Sequence, residues 1–208
     1  MAETFKERLG KEQLLPLYTV NDLGSVALAE AVLSENNLSF IEVTYRSDLA
    51  SQAIQQLADR GKLVVGAGTV RDLDTAKDAI DHGAQFIVSP GLSTEVVNYC
   101  LKEDIPVFPG AVTPSEIMQA MDLGLDVVKF FPANVYGGMS AIKSLAGPFF
   151  DIQFIPTGGV NSDNFTDYLA NDAVLAVGGS FILSEKEVLK DEGKTASEKL
   201  AALTKQLH

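Results

Sequence analysis

Residues 124–138 read GLDVVKFFPANVYGG and contain a nearly continuous apolar run from Val127 to Pro132. Such a run is typical of a parallel strand that is buried on both faces, because a strand with one solvated face alternates apolar and polar residues. The stretch therefore predicts a strand over Val127–Ala133. Lys129 stands in the middle of this strand, although a buried ammonium group is costly and is rarely left without a task.

Short apolar runs alternate with helical patterns along the rest of the chain. The other predicted strands are Leu14–Val20, Phe40–Arg46, Leu63–Val70, Phe86–Pro90, Val107–Val112, Gln153–Thr157 and Val174–Gly178. The predicted helices are Asp22–Ser34, Leu49–Arg60, Asp72–His82, Ser93–Lys102, Pro114–Leu123, Gly138–Leu145 and Ser162–Leu169, with charged helical segments before Leu14 and after Leu183. This alternation predicts an α/β fold.

The favoured architecture is a single (β/α)₈ TIM barrel over residues 1–208, with an extra N-terminal helix. The alternative is an open doubly wound sheet, which usually carries a glycine fingerprint after its first strand. That fingerprint is missing after Val20. In a barrel, the functional site is expected at the C-terminal ends of the strands.

The composition excludes several classes of protein. Hydrophobic residues make up 46% and charged residues 21%, a globular balance, and the net charge of −12 argues against nucleic-acid binding. The N-terminus lacks the apolar core of a signal peptide, and no apolar run is long enough to span a membrane. The single cysteine, Cys100, cannot form an internal disulfide. We therefore expect a cytoplasmic protein with no membrane partner.

The segment FIEVTYR, residues 40–46, places charged residues on one face of a strand. Because side chains alternate between faces, Glu42, Thr44 and Arg46 share the inward face of the predicted barrel, and the intervening apolar residues pack against the helices. Arg46 lies nearest the mouth. An internal Glu–Arg ion pair that only fills space is the alternative interpretation.

Lys129 and Glu42 together indicate carbonyl chemistry. A lysine in an apolar pocket has its charged form disfavoured by burial, and the neutral amine attacks a carbonyl to form a Schiff base. Glu42 is suited to move protons during that reaction. The alternative role for Lys129 is that of an edge lysine that discourages aggregation, although a closed barrel has no free edge.

Paired glycines follow the seventh and eighth predicted strands. PTGGV contains Gly158 and Gly159, and VGGS contains Gly178, Gly179 and Ser180. Glycine pairs let backbone N–H groups approach an anion, and these two loops are the usual phosphate site of such barrels. Tight turns without a ligand are the alternative.

Other small or rigid residues end neighbouring strands: Thr69 in VGAGTV, Pro90 in VSPG and Thr157 in PTGGV. Gly66 and Gly68 in VGAGTV permit close packing. Each residue is as well explained by structure as by function, but together they form a ring at the predicted mouth. His82 and His208 are the only histidines, and neither position suits a metal ligand. We therefore predict no metal and no cofactor.

These residues resemble the family of bacterial 2-keto-3-deoxy-6-phosphogluconate (KDPG) aldolases, which often also cleave 4-hydroxy-2-oxoglutarate (KHG). The matching motifs are EVTYR, VGAGTV, SPG, FPG, KFFPA, AGPF, PTGGV and GGS, between about Leu14 and Leu183. The resemblance implies a (β/α)₈ class I aldolase that is metal-independent and usually trimeric. It also implies KDPG cleavage to pyruvate and glyceraldehyde 3-phosphate, as in the Entner–Doudoroff pathway, and KHG cleavage to pyruvate and glyoxylate.

By the same resemblance, Lys129 is the Schiff-base lysine and Glu42 the acid–base residue. The implied substrate-binding residues are Arg46 and Thr69 for the pyruvate carboxylate, Pro90 and Thr157 along the pocket, and Gly158, Gly159, Gly178, Gly179 and Ser180 around the phosphate.

The sequence departs from the family motifs at a few positions. Asn37 replaces a usual glycine, Tyr45 a common leucine or phenylalanine, and Phe181 a frequent tryptophan, while Val135 and Tyr136 lie in a variable stretch. None of these changes removes a catalytic group. Phe181 and the stretch with Val135 and Tyr136 could alter which sugar acid fits. The alternatives that stay open are an aldolase that prefers the galactonate isomer or unphosphorylated KHG, a phosphosugar isomerase or epimerase, and a non-catalytic phosphosugar-binding barrel.

Overall fold

The computed structural model describes residues 3–207 as alternating strands and helices. The strands are β1 (Leu14–Tyr18), β2 (Phe40–Thr44), β3 (Val64–Gly68), β4 (Phe86–Val88), β5 (Val107–Phe108), β6 (Val127–Phe130), β7 (Gln153–Pro156) and β8 (Val177–Gly179). The helices are α1 (Phe5–Glu12), α2 (Ser25–Glu35), α3 (Ala50–Arg60), α4 (Leu73–Asp81), α5 (Thr94–Lys102), α6 (Pro114–Asp122), α7 (Gly138–Ala146), α8 (Phe165–Leu169), α9 (Glu185–Lys190) and α10 (Lys194–Thr204). Every predicted strand overlaps an observed one.

Six strands form a curled parallel sheet in the order β5-β4-β3-β2-β1-β8, and β6 pairs with β7 in a second parallel sheet. Isolated parallel bridges connect the two sheets: Gly110 pairs with Lys129 on one side, and Thr157 pairs with Gly178 on the other. The predicted α/β fold with alternating helices is confirmed.

The predicted strand ends were less accurate than the strands themselves. The eighth strand was predicted over Val174–Gly178, but β8 begins at Val177, and Val174 makes only a single bridge to Phe154. The strand predicted over Val107–Val112 ends at Phe108, because Pro109 has no N–H to donate to a ladder. The helix start predicted at Pro114 is confirmed, and Thr113 caps this helix in a capping box with Glu116.

Two apolar clusters hold the fold together. The larger cluster lies between the sheet and the helices and contains Ile41 and Val43 from the outward face of β2. The smaller cluster lies on the inward face of the strands. It consists of Leu9, Leu15, Leu17, Phe40, Phe86, Val88, Phe108, Val127, Ile155, Leu175 and Ala176.

Helix α1 covers the end of the sheet at which the strands begin. Its Phe5 ring lies 5.0 Å from the ring of Phe40, 5.2 Å from that of Phe86 and 5.6 Å from that of Phe108. These aromatic rings fill the space on the inward face of the strands at their N-terminal ends. Space for a ligand is therefore left at the opposite end, where the strands finish. No helix within residues 3–207 is long and apolar enough to cross a membrane.

Candidate active site

Lys129 and Glu42 meet inside the fold. Nζ of Lys129, on β6, lies 3.4 Å from Oε1 of Glu42, on β2, and their side chains are 6% and 1% exposed. The lysine backbone is held by two hydrogen bonds: its N–H donates to the carbonyl of Pro109 and its carbonyl accepts from Ala111, both at 2.9 Å. The predicted pair is thus brought together, although the two residues are 87 positions apart.

Gly68 makes the space that the Glu42 side chain occupies. A Cβ atom placed on Gly68 would lie 2.6 Å from Cγ and Cδ of Glu42, and closer still to Oε1. Gly68 ends β3 and pairs with Thr44 of β2. The Glu42 carboxylate therefore extends from its own position in the strand up to the level of Thr44, toward the C-terminal ends of the strands.

Arg46 and Thr69 lie together just beyond the C-terminal ends of β2 and β3, which we call the mouth of the site. Arg46 is exposed beyond the end of β2, and its Nε donates to Oγ1 of Thr69 at 3.3 Å. Thr69 has φ = 61°, an uncommon conformation for a side chain branched at Cβ. Glu42 is paired with Lys129 rather than with Arg46, so the internal Glu–Arg ion pair is not the arrangement observed.

Thr157 carries a buried hydroxyl that has no partner in the described chain. It is 4% exposed and follows β7, where it bridges to Gly178. A Cβ atom on Gly178 would collide with Oγ1 of Thr157, so glycine at that position leaves room for the hydroxyl. An unsatisfied buried hydroxyl costs free energy, which is consistent with a group that receives a polar ligand.

The two glycine pairs form adjacent loops. Gly158 and Gly159 have φ values of 87° and 79°, in the left-handed region that glycine tolerates best. Gly179 is buried, and Ser180 is exposed at the surface of the mouth. Among the described residues, no acceptor is found for the N–H groups of Gly158, Gly159 and Ser180. The loops thus offer several N–H donors to an anion.

Pro90 follows β4 and is half-buried, and its backbone packs against Gly110. A Cβ atom on Gly110 would overlap the carbonyl of Pro90, so these two strand ends pack closely.

The positions that depart from the family motifs lie in different environments. Val135 and Tyr136 are 71% and 50% exposed. Asn37 has φ = 59°, in the left-handed region that glycine adopts readily. This conformation explains why the family motif usually has glycine at this position, and asparagine also tolerates it.

Sequence reasoning missed two contacts at the site. Oγ1 of Thr19 lies 2.7 Å from Oγ1 of Thr44, and Nζ of Lys129 lies 5.5 Å from the centroid of the Phe131 ring. The inward direction of Thr44 was predicted from strand alternation. Its pairing with Thr19 depends on the register between β1 and β2, which a single sequence does not reveal.

Other reactive groups do not contribute to this site. Burial raises the pKa of Cys100 to about 11, so its thiol is not a ready nucleophile. His82 ends α4, and its Nδ1 lies 2.7 Å from the carbonyl of Asp78. Within residues 3–207, no group of three His, Cys, Asp or Glu side chains is arranged to hold a metal ion. His208 lies outside the described residues.

Comparisons with known proteins agree on one family. The sequence profile described as "Aldolase: KDPG and KHG aldolase" matches residues 5–199. The 2-dehydro-3-deoxy-phosphogluconate aldolase of Treponema pallidum is 37% identical over 190 residues, which cover 89% of each chain. The KHG/KDPG aldolase of Escherichia coli K12 is 39% identical over 172 residues, 82% of this chain and 80% of that protein.

A solved structure gives the same result. It is KDPG aldolase from Legionella pneumophila with pyruvate captured at low pH as a covalent carbinolamine intermediate. It is 31% identical, covers 95% of this chain and 97% of its own, and superimposes with a TM-score of 0.91. On the strength of the profile match and these relatives, the chain belongs to the KDPG and KHG aldolase family.

Proposed function

We propose that this protein is a class I aldolase that cleaves KDPG to pyruvate and glyceraldehyde 3-phosphate through a Schiff base on Lys129. The observation that carries the proposal is the buried contact of 3.4 Å between Nζ of Lys129 and Oε1 of Glu42. The names of the relatives support the substrate, and the captured carbinolamine of the Legionella pneumophila enzyme supports the chemistry. Cleavage of KHG to pyruvate and glyoxylate is a second activity of the same site.

The reaction begins when the neutral amine of Lys129 attacks C2 of the substrate. Glu42 transfers the protons that convert the carbinolamine into an iminium ion, with loss of water. Glu42 then accepts the proton of the C4 hydroxyl, the C3–C4 bond breaks, and the bond electrons enter the iminium to form an enamine. After the aldehyde leaves, protonation at C3 and hydrolysis release pyruvate and regenerate Lys129.

The remaining site residues bind the two ends of the substrate. Arg46 and Thr69 hold the carboxylate at the mouth, because a guanidinium and a hydroxyl lie side by side there. Pro90 and Thr157 line the pocket, and the unpartnered Thr157 hydroxyl is available to the substrate. The phosphate is bound by the N–H groups of the two glycine loops, formed by Gly158, Gly159, Gly178, Gly179 and Ser180.

The architecture that we propose is a single (β/α)₈ barrel domain over residues 1–208, with α1 as an additional N-terminal helix. The bridges at Lys129 and Thr157, which connect the two parallel sheets, support closure of the barrel. We also propose a cytoplasmic homotrimer. The trimer rests on the resemblance to a usually trimeric family, and the compartment rests on the single cysteine.

Borohydride trapping tests the Schiff base directly. Incubation with pyruvate and borohydride should attach pyruvate to the parent protein, and peptide mapping should place the adduct on Lys129. Lys129→Arg should lose both turnover and trapping, because arginine stays protonated. An adduct on another lysine would overturn the assignment, and the absence of any adduct would favour a phosphosugar isomerase or a non-catalytic phosphosugar-binding barrel.

The galactonate isomer is the alternative substrate within the same mechanism. The two sugar acids share every group that Lys129, Glu42 and Arg46 would contact and differ only in stereochemistry. Steady-state kinetics on KDPG and on its galactonate isomer, with coupled detection of pyruvate, would decide between them. A higher kcat/KM for the galactonate isomer than for KDPG would show that the galactonate isomer is the preferred substrate.

A further inference from the structure

Two threonine hydroxyls form a pair at the C-terminal ends of β1 and β2. The strands are in register with Leu17 opposite Glu42, and the next same-face positions are Thr19 and Thr44, whose Oγ1 atoms lie 2.7 Å apart. Leu17 belongs to the inward apolar cluster, so Thr19 faces the same interior space. Thr44 is only 1% exposed, whereas Thr19 is half-buried. Thr19 is therefore the member of the pair that reaches the pocket.

The threonine pair lies level with the reacting carboxylate. Thr44 pairs with Gly68, and the Glu42 carboxylate occupies the space where a Gly68 side chain would stand. The Glu42 carboxylate, the Thr44 hydroxyl and the Thr19 hydroxyl therefore lie side by side on the inward face, in the order β3, β2, β1. This placement puts Thr19 on the strand next to the one that carries Glu42, at the level of the Glu42 carboxylate.

Strand β1 lies between the two ends of the proposed site. In the sheet it has β2, with Glu42, on one side and β8, which leads to Ser180, on the other. A substrate whose C4 hydroxyl meets Glu42 on β2 and whose phosphate lies in the loop after β8 runs alongside β1, because β1 is the strand between these two. The C4 hydroxyl is assigned to Glu42, and C5 is the next carbon toward the phosphate.

We propose that Thr19 is a further substrate-binding residue, whose hydroxyl binds the C5 hydroxyl of the substrate. The inference rests on the proposed aldolase function and adds a specificity contact to it. A threonine hydroxyl has one donor and two acceptor positions, so Thr19 retains hydrogen-bonding capacity after its bond to Thr44. The Thr44 contact fixes the orientation of Thr19, and the pair selects aldehydes that carry a hydroxyl beside the carbonyl carbon.

The aldol addition direction provides a matched pair of substrates. The C5 hydroxyl of the product comes from the C2 hydroxyl of glyceraldehyde 3-phosphate, and 3-(phosphooxy)propanal is the same aldehyde without that hydroxyl. The measured quantity is the preference, which is the ratio of kcat/KM for glyceraldehyde 3-phosphate to that for 3-(phosphooxy)propanal, with pyruvate saturating. Both aldehydes carry the phosphate, so the ratio does not report on the glycine loops.

Thr19→Val removes the hydroxyl and keeps the branched shape. We expect it to reduce the preference by about tenfold, the effect of losing one hydrogen bond. Thr19→Ser, the control, keeps the hydroxyl and should retain the preference of the parent. Thr19→Ala gives the same comparison if the valine variant does not fold. A preference unchanged in the variants that lack the hydroxyl would overturn the inference.

Borohydride trapping of the parent protein with pyruvate alone separates this inference from the proposed function. If the parent forms the adduct and the variants without the hydroxyl keep its preference, only the role of Thr19 is wrong. A parent protein that forms no adduct would overturn the Schiff-base function itself, and the contact with Thr19 would be overturned with it.

Discussion

Substituting Gly68 should disable the enzyme without touching a catalytic residue. In Gly68→Ala, the new methyl group would lie 2.6 Å from Cγ and Cδ of Glu42, whereas ordinary van der Waals contact begins at 3.4 Å. Glu42 must therefore withdraw by about 0.8 Å at these atoms and by more at Oε1, which is of the order of the 1 Å misplacement that costs about 10²-fold in rate. We expect kcat for KDPG cleavage to fall by at least about 10²-fold.

The fold should survive this substitution. Overpacking a core by one methyl group typically costs about 1–3 kcal/mol, and alanine recovers part of this because it restricts the unfolded chain more than glycine does. Gly147→Ala is the matched control, because its methyl group would have its nearest neighbour at 3.6 Å and its φ is −61°. Circular dichroism and thermal unfolding of both variants would check that each is folded.

The assay is pyruvate release measured by a coupled dehydrogenase, together with prolonged borohydride trapping. Gly68→Ala should still form the adduct on Lys129 when it is given time, because the lysine is not altered. Its loss of kcat should approach that of Glu42→Gln, which keeps the volume of Glu42 but removes the proton acceptor. Turnover within a few-fold of the Gly147→Ala control would refute the reasoning, because Glu42 would then not need its observed position.

Three further predictions concern charge and metals. Ser180→Asp should lower kcat/KM for KDPG by about tenfold or more, because the new carboxylate repels the substrate phosphate. The kcat/KM for KHG, which has no phosphate, should fall much less. Equal losses on the two substrates would mean that the phosphate is bound elsewhere. Prolonged EDTA treatment should leave the rate unchanged, because the iminium ion accepts the bond electrons; a loss restored by a divalent cation would contradict the mechanism. Burial raises the pKa of Glu185, but hydrogen bonds from Asn21, Asp22 and Ser25 outweigh this effect and hold the pKa below its usual value. The stability contributed by Glu185 is therefore fully present above its unfolded pKa of 4.5 and is lost as the pH falls through the lower folded pKa. Glu185→Gln should therefore lose less stability than the parent when the pH is lowered from neutral through this acid range, as measured by thermal unfolding.

The alternation of strands and helices was predictable because it depends on local sequence. Strands buried on both faces produce apolar runs that stand out from the amphipathic helices, and all eight predicted runs contain observed strand residues. The outward direction of Tyr45 was predictable for the same reason: its hydroxyl donates to Asp78 of α4 at 2.7 Å. Strand alternation also placed Glu42 inside, where it meets Lys129.

Features that depend on register or on backbone conformation were not predictable. The contact of Thr19 with Thr44 requires the alignment of β1 with β2, and the start of β8 at Val177 depends on its pairing with β1. The role of Gly68 was seen only as close packing, because its partner, the Glu42 carboxylate, extends from another strand. Gly66 matched the expectation, since a side chain there would collide with the ring of Phe86.

Under the proposed mechanism, the buried ion pair makes a lysine in an apolar strand both tolerated and reactive. With Lys129 protonated and Glu42 ionised, the two charges compensate each other across 3.4 Å, which reduces the cost of burying either one. Attack on a ketone requires the neutral amine, and a proton that passes from Nζ to Oε1 leaves the net charge of the pair unchanged. In the mechanism that we propose, the site therefore releases the nucleophile without placing an uncompensated charge in the interior. In the proposed mechanism, the same transfer makes Glu42 an acid for the loss of water from the carbinolamine, so one contact serves stability in the resting protein and proton transfer in the reaction.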